Sequence, residues 1–347
     1  MPLLVVVDAH PGPAFVDALR RAWDDGDAVL PLDPRLPRAA AAAVLEALRH
    51  HDPMDAGDAL VVATSGTTGE PKGVVLTHDA VRASADATNR RLDVDPSTDQ
   101  WLCQLPLAHV GGLGVVTRAV LSGTPLTFDT TDLAATLTSV VPTQAERQDL
   151  SRFRAVLVGG SSDWRDDRPA NVIHTYGLTE TGGGVVYDGT PLDGVEVRVD
   201  DDTGVSVRSA TLLRCYRDGT DPNDGDGWFA TGDDGELLPD GSLRVWGRRD
   251  DVIVTGGEKV WPDPVEQILR AVPGVGDVAV VGRPDVKWGA VVTAVVVPAD
   301  ADDPPALPAL RDAVKVTLPA WCAPRAIELV AELPRTPLGK LRRSAIA

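Results

Sequence analysis

In the N-terminal part of the chain, short apolar runs alternate with amphipathic stretches. LLVVV is followed by PAFVDALRRAW, and AVLPL is followed by the alanine-rich stretch RAAAAAVLEALRHH. Further apolar runs, ALVVATS, AVLVGG and NVIHTYG, each lead into a loop rich in glycine or hydroxyl residues, and THDAVRASADATNRRL reads as a helix with Thr77 as its N-cap. This pattern predicts an α/β fold with layered sheets and ligands at the strand ends.

The pattern changes at about Val185, where short β-rich pieces separated by Gly/Asp turns begin. We place a domain boundary near Asp250. Beyond it, PDPVEQILRAV and PALPALRDAVKVTL read as helices, and GVGDVAVVGRPD and GAVVTAVVVPAD as strands. The sequence therefore predicts a large N-terminal α/β domain with a β-rich subdomain over residues 1–249, and a small α+β domain over residues 250–347.

The net charge of −18 narrows the choice of partners. A field of this sign repels DNA and RNA, so we expect no nucleic-acid partner. No apolar stretch reaches the roughly 18 residues that cross a bilayer, and the start lacks an export signal, so we expect no membrane span and a cytoplasmic location. The three cysteines are far apart without a CxxC pair, and we interpret them as small buried apolar residues.

The segment VVATSGTTGEPKGVVLTH is the strongest single indication of chemistry. Its glycines allow the backbone to approach an anion, while its hydroxyls and its lysine add donors and positive charge. It is not a Walker A loop, because Lys72 is followed by Gly73 instead of Ser or Thr. The segment predicts a phosphate cradle, and the alternative is a polar turn with an exposed lysine. The residues concerned are Thr64, Ser65, Gly66, Thr67, Thr68, Gly69 and Lys72.

This segment resembles the phosphate-binding signature of the adenylate-forming superfamily, which contains acyl- and aryl-CoA ligases, adenylation domains and luciferases. Four further segments resemble motifs of that superfamily in the same order: TYGLTETGG, ATGDDGEL, GRRDDVIVTGGEKVWPDPVE and LPRTPLGKLRR. The resemblance extends from about Asp58 to Arg343. It implies an enzyme that activates a small carboxylic acid with ATP and Mg²⁺ and transfers the acyl group to coenzyme A.

The resemblance also implies roles for individual residues. Thr179 would meet the α-phosphate, Glu180 would hold Mg²⁺, and Lys340 would bridge the attacking and leaving oxygens. The other implied nucleotide contacts are Tyr176 and Gly177 at the adenine, Gly159, Gly160 and Ser161 along the purine edge, and Asp233 and Arg248 at the ribose. The alternatives are a turn residue for Asp233, a solvated side chain for Arg248 and an ordinary surface lysine for Lys340.

A second set of residues concerns the thiol. Asp250 matches the hinge of the superfamily, and rotation about it would withdraw Lys340 after adenylation. On this resemblance Gly256 and Gly257 would then line a narrow tunnel for the pantetheine of coenzyme A. The alternative for these two glycines is a plain hairpin turn.

The same resemblance implies an acid pocket around His109, Arg118, Gly182 and Gly183. Arg118 is the only cation in an apolar helical stretch, and a buried cation needs a partner. A second carboxylate on the substrate would supply this partner. In this respect the chain resembles the o-succinylbenzoate–CoA ligases of menaquinone synthesis, which have a basic residue at the matching place. We therefore expect conversion of 2-succinylbenzoate to 2-succinylbenzoyl-CoA. The alternative for His109 is a structural role. The alternatives for Arg118 are a pair with a protein carboxylate and a side chain that points to solvent.

Other functions remain open at this point. The chain is also compatible with another aryl- or acyl-CoA ligase, with a stand-alone adenylation enzyme that loads a carrier protein, or with a binding protein that has lost its chemistry. The chain starts inside the usual N-terminal domain of the superfamily, as compact forms of the succinylbenzoate ligase do. This start predicts a possible homodimer that completes the fold.

Overall fold

The computed structural model describes residues 1–65, 71–160, 168–335 and 341–346. The chain divides into two compact units, each made of several segments. Unit 1 comprises Met1–Arg198, Ser206–Thr231 and Leu237–Leu243, and unit 2 comprises Val199–Val205, Gly232–Glu236 and Arg244–Ala347. The simpler division into residues 1–249 and 250–347 stays a prediction.

The strands are labelled in chain order. The first set is β1 (Leu4–Asp8), β2 (Ala28–Leu32), β3 (Asp58–Ser65), β4 (Pro71–Thr77), β5 (Trp101–Cys103), β6 (Leu126–Thr127), β7 (Leu137–Val140), β8 (Ala155–Gly159), β9 (Val172–Leu178), β10 (Gly183–Tyr187) and β11 (Thr190–Pro191). The second set is β12 (Val195–Val199), β13 (Gly204–Ser209), β14 (Cys215–Tyr216), β15 (Phe229–Leu237), β16 (Leu243–Arg248), β17 (Ile253–Thr255), β18 (Glu258–Val260), β19 (Val275–Asp285), β20 (Gly289–Pro298) and β21 (Ala326–Leu329).

The described helices are α1 (Pro13–Asp24), α2 (Arg38–Ala47), α3 (His78–Arg91), α4 (Val110–Ser122), α5 (Pro142–Ala145), α6 (Pro262–Arg270) and α7 (Leu307–Thr317). The short helix α5 is not predicted from the sequence. Helix α1 begins with a proline and buries Phe15 and Leu19. Oγ1 of Thr77 accepts a hydrogen bond from the backbone N–H of Ala80 at 3.1 Å, which confirms the predicted N-cap of α3. Within the described ranges, no helix is long and apolar enough to span a bilayer.

The first sheet of unit 1 has the strand order β1-β2-β3-β4-β14. Strands β1, β2 and β3 run parallel and are connected by α1 and α2, as the alternating pattern predicts. Strand β4 then turns back antiparallel to β3, and the short strand β14 lies antiparallel to β4. Leu30, Val61 and Val75 share one apolar core with Leu48, which follows α2.

The second sheet of unit 1 has the order β11-β10-β9-β8-β7-β5-β6. Strands β6, β5, β7, β8 and β9 are parallel neighbours, and β10 pairs antiparallel with β9. The chain therefore makes a tight turn between β9 and β10. These two sheets, with their connecting helices, confirm the predicted α/β fold. In the predicted β-rich stretch, β12, β13, β15 and β16 form a third sheet in the order β12-β13-β15-β16.

Unit 2 contains a fourth sheet of order β18-β17-β20-β19, with β21 beside β20. Val265 and Leu269 of α6 and Leu310 and Val314 of α7 pack in one core with buried valines of β19 and β20. This arrangement is the α+β architecture that the sequence predicts for the C-terminal part.

The tail of unit 2 is fixed to α6 by Arg343, which lies in a 3₁₀ turn (Arg343–Ala345). Its guanidinium forms ion pairs with Asp251, Asp263 and Glu266, and it donates to the carbonyl oxygen of Val280 at 3.1 Å. Glu266 is only 2% exposed, so this arginine, together with Arg270, neutralises a buried carboxylate. The apolar tail residues Leu341 and Ile346 pack against a small core around Leu333.

Candidate active site

The predicted phosphate loop connects the two strands of the β3–β4 hairpin. The last pairs before the loop join Thr64 to Lys72 and Ser65 to Pro71. Oγ1 of Thr64 donates to the carbonyl oxygen of Lys72 at 3.4 Å. The Lys72 residue is exposed, and its ammonium forms no ion pair with a described residue. The loop residues Gly66, Thr67, Thr68 and Gly69 lie outside the described residues.

The turn between β9 and β10 carries Thr179 and Glu180. It is held from inside by Thr181, which is fully buried. Oγ1 of Thr181 accepts a hydrogen bond from the backbone N–H of Leu178 at 2.8 Å and donates to the carbonyl oxygen of Gly183 at 2.7 Å. In the described part of the chain, the Thr179 hydroxyl has no hydrogen-bond partner. The side chain of Thr181 therefore fixes the turn, and that of Thr179 does not take part.

Tyr176 and Gly177 lie on β9, where it pairs with β10. Gly177 is opposite Gly184, and a Cβ atom at Gly177 would lie 1.9 Å from the carbonyl oxygen of Gly183. Only glycine fits here, so the packing of the two strands explains this residue. Tyr176 is half-buried and is opposite Val186.

The predicted purine loop begins at the end of β8. Gly159 pairs with Thr175, the residue before Tyr176, and Gly160 follows with a φ of +99°. Because β8 and β9 are parallel neighbours, these glycines and Tyr176 lie at the same edge of the sheet, where nucleotides bind in α/β proteins. Ser161 of the predicted loop lies outside the described residues, as does Lys340.

Tyr216, on strand β14, contacts two of the predicted site residues. Its Oη donates to Oε1 of Glu180 at 3.0 Å, and Nζ of Lys72 lies 5.1 Å from the centroid of its ring. Sequence reasoning missed Tyr216, because the surrounding CYRDG belongs to none of the recognised motifs and Glu180 is 36 residues away. In the structure, Lys72 and Glu180 therefore both contact Tyr216.

Arg118 lies on α4 and is 5% exposed. Its guanidinium donates to Oγ of Ser139 at 3.5 Å and lies 5.5 Å from the ring centroid of Trp101, while Nε has no hydrogen-bond partner. A Cβ atom at Gly114, one turn earlier, would lie 3.1 Å from NH2, so this glycine leaves room for the guanidinium. No carboxylate among the described residues pairs with Arg118, so it is a buried and uncompensated cation.

His109 occupies the N-cap position of α4, but its side chain does not cap the helix. Burial lowers the pKa of its imidazole, an effect that Asp33 opposes and Arg35 reinforces. The imidazole is therefore neutral near pH 7.

Gly182 and Gly183 lie in the turn before β10, with φ of +68° and +116°. A Cβ atom at Gly183 would lie 3.9 Å from Cγ2 of Val110, the first residue of α4. The structure thus brings Gly183 close to the start of the helix that carries Arg118.

In unit 2, the predicted ribose contacts form an ion pair. NH1 of Arg248 lies 3.1 Å from Oδ1 of Asp233, whose side chain is buried. The neighbouring aspartate, Asp234, has different partners: Nε of Arg249 at 2.8 Å and Nε1 of Trp261 at 3.1 Å. The hydrogen bond to Asp234 raises the pKa of the Arg249 guanidinium. The two aspartates therefore have different side-chain partners.

Gly256 and Gly257 form the two-residue turn of the β17–β18 hairpin, with φ of +61° and +90°. Positive φ at both positions is typical of a type I′ turn, so the hairpin alternative explains both glycines. A Cβ atom at Gly256 would also lie 2.6 Å from the ring of Trp288. The predicted hinge residue Asp250 is exposed and lies in a 3₁₀ turn, Arg249–Asp251.

The cysteines are not nucleophiles. Cys103, Cys215 and Cys322 are all buried and free. Burial raises the pKa of the Cys103 thiol to about 12 and also raises the pKa of the other two. The thiols are therefore protonated near neutral pH, as their interpretation as apolar residues requires.

Glu180 suits the Mg²⁺ ion that the superfamily uses with ATP. Its only described side-chain partner is the hydroxyl of Tyr216, and it forms no ion pair within the described ranges. Mg²⁺ is usually held by one or two carboxylates together with phosphate oxygens of the substrate. Glu180 provides one such carboxylate, and Tyr216 contacts both Glu180 and Lys72. This arrangement fits a Mg²⁺ ion bound together with phosphate groups.

Two family models match the chain. The model for the AMP-binding enzyme matches residues 17–213, and the model for the AMP-binding enzyme C-terminal domain matches residues 264–340. The chain therefore belongs to the AMP-binding enzyme family. This match confirms the resemblance to the adenylate-forming superfamily.

Individual relatives narrow the comparison. The chain is 40% identical over 337 residues to a probable 2-succinylbenzoate–CoA ligase of Mycobacterium tuberculosis, with 87% of each protein covered. It is 32% identical over 327 residues to the 2-succinylbenzoate–CoA ligase of Listeria monocytogenes, which covers 83% of this chain and 69% of that protein.

Solved structures agree with these relatives. The o-succinylbenzoate CoA synthetase MenE of Bacillus subtilis, in complex with the acyl-adenylate intermediate OSB-AMP, matches with a TM-score of 0.77 at 26% identity. That match covers 99% of this chain and 82% of the other. The chain is thus similar to succinylbenzoate ligases in both sequence and fold.

Proposed function

We propose that this enzyme is an ATP-dependent acid–CoA ligase that converts 2-succinylbenzoate to 2-succinylbenzoyl-CoA in menaquinone biosynthesis. The observation that carries the choice of acid is Arg118, a buried guanidinium for which the described residues provide a serine hydroxyl and no carboxylate. A dicarboxylic acid has one carboxylate to be activated and a second to neutralise this arginine. The similarity to two 2-succinylbenzoate–CoA ligases over most of the chain supports the same acid.

In the first half-reaction, an oxygen of the substrate carboxylate attacks the α-phosphorus of ATP. The bond from the α-phosphorus to the bridging oxygen breaks, and diphosphate leaves with the electron pair. Lys72 and the hairpin loop would hold the β- and γ-phosphates, Thr179 the α-phosphate, and Lys340 the attacking and leaving oxygens. Glu180 would hold Mg²⁺, which neutralises charge on the phosphate oxygens when it is bound.

The nucleoside would be held by residues of both predicted motifs. Tyr176 presents an aromatic face for adenine, beside the loop that begins at Gly159 and Gly160. The carboxylate of Asp233 and the guanidinium of Arg248 would take the ribose hydroxyls, a task for which a hydrogen-bonded pair is already oriented.

In the second half-reaction, the thiol sulfur of coenzyme A attacks the acyl carbon, its proton is lost, and AMP leaves. We propose that Asp250 is the hinge that withdraws Lys340 before this step, and that Gly256 and Gly257 line the pantetheine path. His109, neutral because of its burial, would stand at the acid pocket with Gly182 and Gly183.

The remaining parts of the proposal concern the cellular location and the oligomeric state of the enzyme. ATP and coenzyme A as substrates favour the cytoplasm. A homodimer remains a prediction from the sequence, which light scattering on the purified enzyme would test.

The function is tested with purified enzyme, MgATP, coenzyme A and a panel of carboxylic acids, read by diphosphate release and by thioester mass. We expect release and a thioester with 2-succinylbenzoate, and little with benzoate or fatty acids. Diphosphate release without a thioester would instead support loading of a carrier protein. No release with any acid would refute the proposal.

A further inference from the structure

Tyr216 lies in a segment that connects the phosphate hairpin to the Glu180 turn. The backbone N–H of Leu213 donates to the carbonyl oxygen of Glu180 at 2.8 Å. Further along, the backbone N–H groups of Arg214 and Arg217 donate to carbonyl oxygens of Val75 and Gly73 on β4, at 2.9 and 2.7 Å. The segment Leu213–Arg217 is thus bonded to both parts of the site, and Tyr216 lies inside it.

Two arginines anchor this segment on either side of the tyrosine. Arg214 forms a bidentate pair with Asp58, both distances being 2.8 Å, and Asp58 is 1% exposed. The guanidinium of Arg217 donates to a set of backbone carbonyl oxygens, those of Leu48, Arg49, Asp52 and Pro53. Such anchoring fixes the backbone at Tyr216 and so defines where its hydroxyl lies.

The contacts of the side chain suggest a role beyond packing. The Tyr216 hydroxyl donates to a carboxylate that has no cation partner in the described part of the chain. A hydroxyl that donates to Oε1 restricts the rotation of the carboxylate and leaves Oε2 for another ligand. On its other side, the ring lies beneath the ammonium of Lys72.

We propose that Tyr216 is a positioning residue for the MgATP complex, which orients the Glu180 carboxylate toward the metal and limits the motion of Lys72. This inference rests on the proposed function, since it deepens the role of Glu180. Residues that orient metal ligands typically contribute 10- to 100-fold to metal affinity.

The test compares Tyr216→Phe with Tyr187→Phe. Tyr187 is a matched control because its Oη also makes one side-chain hydrogen bond, to Oγ1 of Thr88 at 3.0 Å, in the buried interior of the same unit. Binding of α,β-methylene ATP, whose α,β-bridge cannot be cleaved to release diphosphate, is measured by calorimetry with EDTA and over a range of Mg²⁺ concentrations. Thermal unfolding is measured in parallel.

We expect Tyr216→Phe to raise the Mg²⁺ concentration for half-maximal nucleotide binding at least tenfold, with little change in the binding measured in EDTA. Tyr187→Phe should lower the unfolding temperature and leave the Mg²⁺ dependence unchanged. Tyr216→Leu, which also removes the ring beneath Lys72, should weaken nucleotide binding in EDTA as well. An unchanged Mg²⁺ requirement in Tyr216→Phe, or equal losses with and without metal, would overturn the inference.

The same measurement separates this inference from the choice of acid. If 2-succinylbenzoate is not a substrate but Tyr216→Phe shifts the Mg²⁺ requirement of nucleotide binding, the acid is wrong and the role of Tyr216 stands. If the wild-type enzyme binds the nucleotide without any Mg²⁺ dependence, the role of Tyr216 is overturned and the choice of acid is unaffected.

Discussion

Replacing Arg118 with methionine should make the free enzyme more stable and its acid binding weaker. The structure leaves Nε of this buried guanidinium without a hydrogen-bond partner, which costs about 1–3 kcal/mol. Methionine fills a similar volume without charge and loses the contact with Trp101, worth about 1 kcal/mol. The net expectation is a gain of about 1 kcal/mol, or an unfolding temperature higher by about 2–4 °C.

The effect on the substrate has the opposite sign. If Arg118 binds the second carboxylate of the acid, removing it costs about 2–5 kcal/mol of binding, or roughly 30-fold to several thousand-fold in kcat/KM for 2-succinylbenzoate. The KM for ATP should stay the same, and so should the low rate with benzoate, which has no second carboxylate. Diphosphate release as a function of acid concentration and, separately, of ATP concentration measures all three values, and thermal unfolding without ligands measures stability.

Arg154→Met is the matched control. Arg154 forms a bidentate pair with Asp99, whose side chain is 3% exposed, so its loss leaves a buried carboxylate unpaired. This variant should be destabilised by about 1–3 kcal/mol, with an unchanged KM for the acid. A destabilised Arg118→Met enzyme with a normal acid KM would refute the reasoning, because Arg118 would then be a structural residue.

Three further predictions concern other parts of the site. Lys340→Ala should abolish adenylate formation and leave thioester formation from supplied acyl-adenylate largely intact, and equal loss of both steps, measured separately, would argue against the hinge. Asp233→Asn should raise the KM for ATP by roughly 10- to 100-fold, because a charged acceptor for the ribose is lost, with an unchanged KM for the acid in the same assay. For His109, burial lowers the folded-state pKa, so the unfolded chain takes up the proton first and stability falls as the pH drops below about 6.5. The free energy of unfolding, measured with urea between about pH 5 and 7, should depend less steeply on pH in His109→Gln than in the wild type. An identical pH dependence would contradict this assignment.

Local patterns in the sequence predicted most of the elements. The apolar runs and the cap at Thr77 were enough to place strands and helices, because both depend on residues close together in the chain. The position of Arg118 on an apolar helix also followed from the sequence. Its burial did not, and neither did the absence of a carboxylate partner among the described residues, since both depend on which strands pack against α4.

The residues that sequence reasoning missed are held by distant partners. Tyr216 lies on a strand of two residues, too short for any periodicity, and its bond to Glu180 requires that β14 pair with β4. Likewise, the adjacent Asp233 and Asp234 look equivalent in the sequence, and their different arginine partners appear only when β15 and β16 are in place. Pairing between distant segments is decided by tertiary packing, which local patterns do not encode.

The three-carboxylate anchor of Arg343 bears on how the protein is handled in the laboratory. A version cut directly after Lys340 would keep every residue assigned to chemistry. It would nevertheless remove one of the two described arginines that pair with Glu266, leaving Arg270, and it would uncover the apolar side chains beneath Leu341 and Ile346. Deletion variants of this protein should therefore keep residues 341–346 in place.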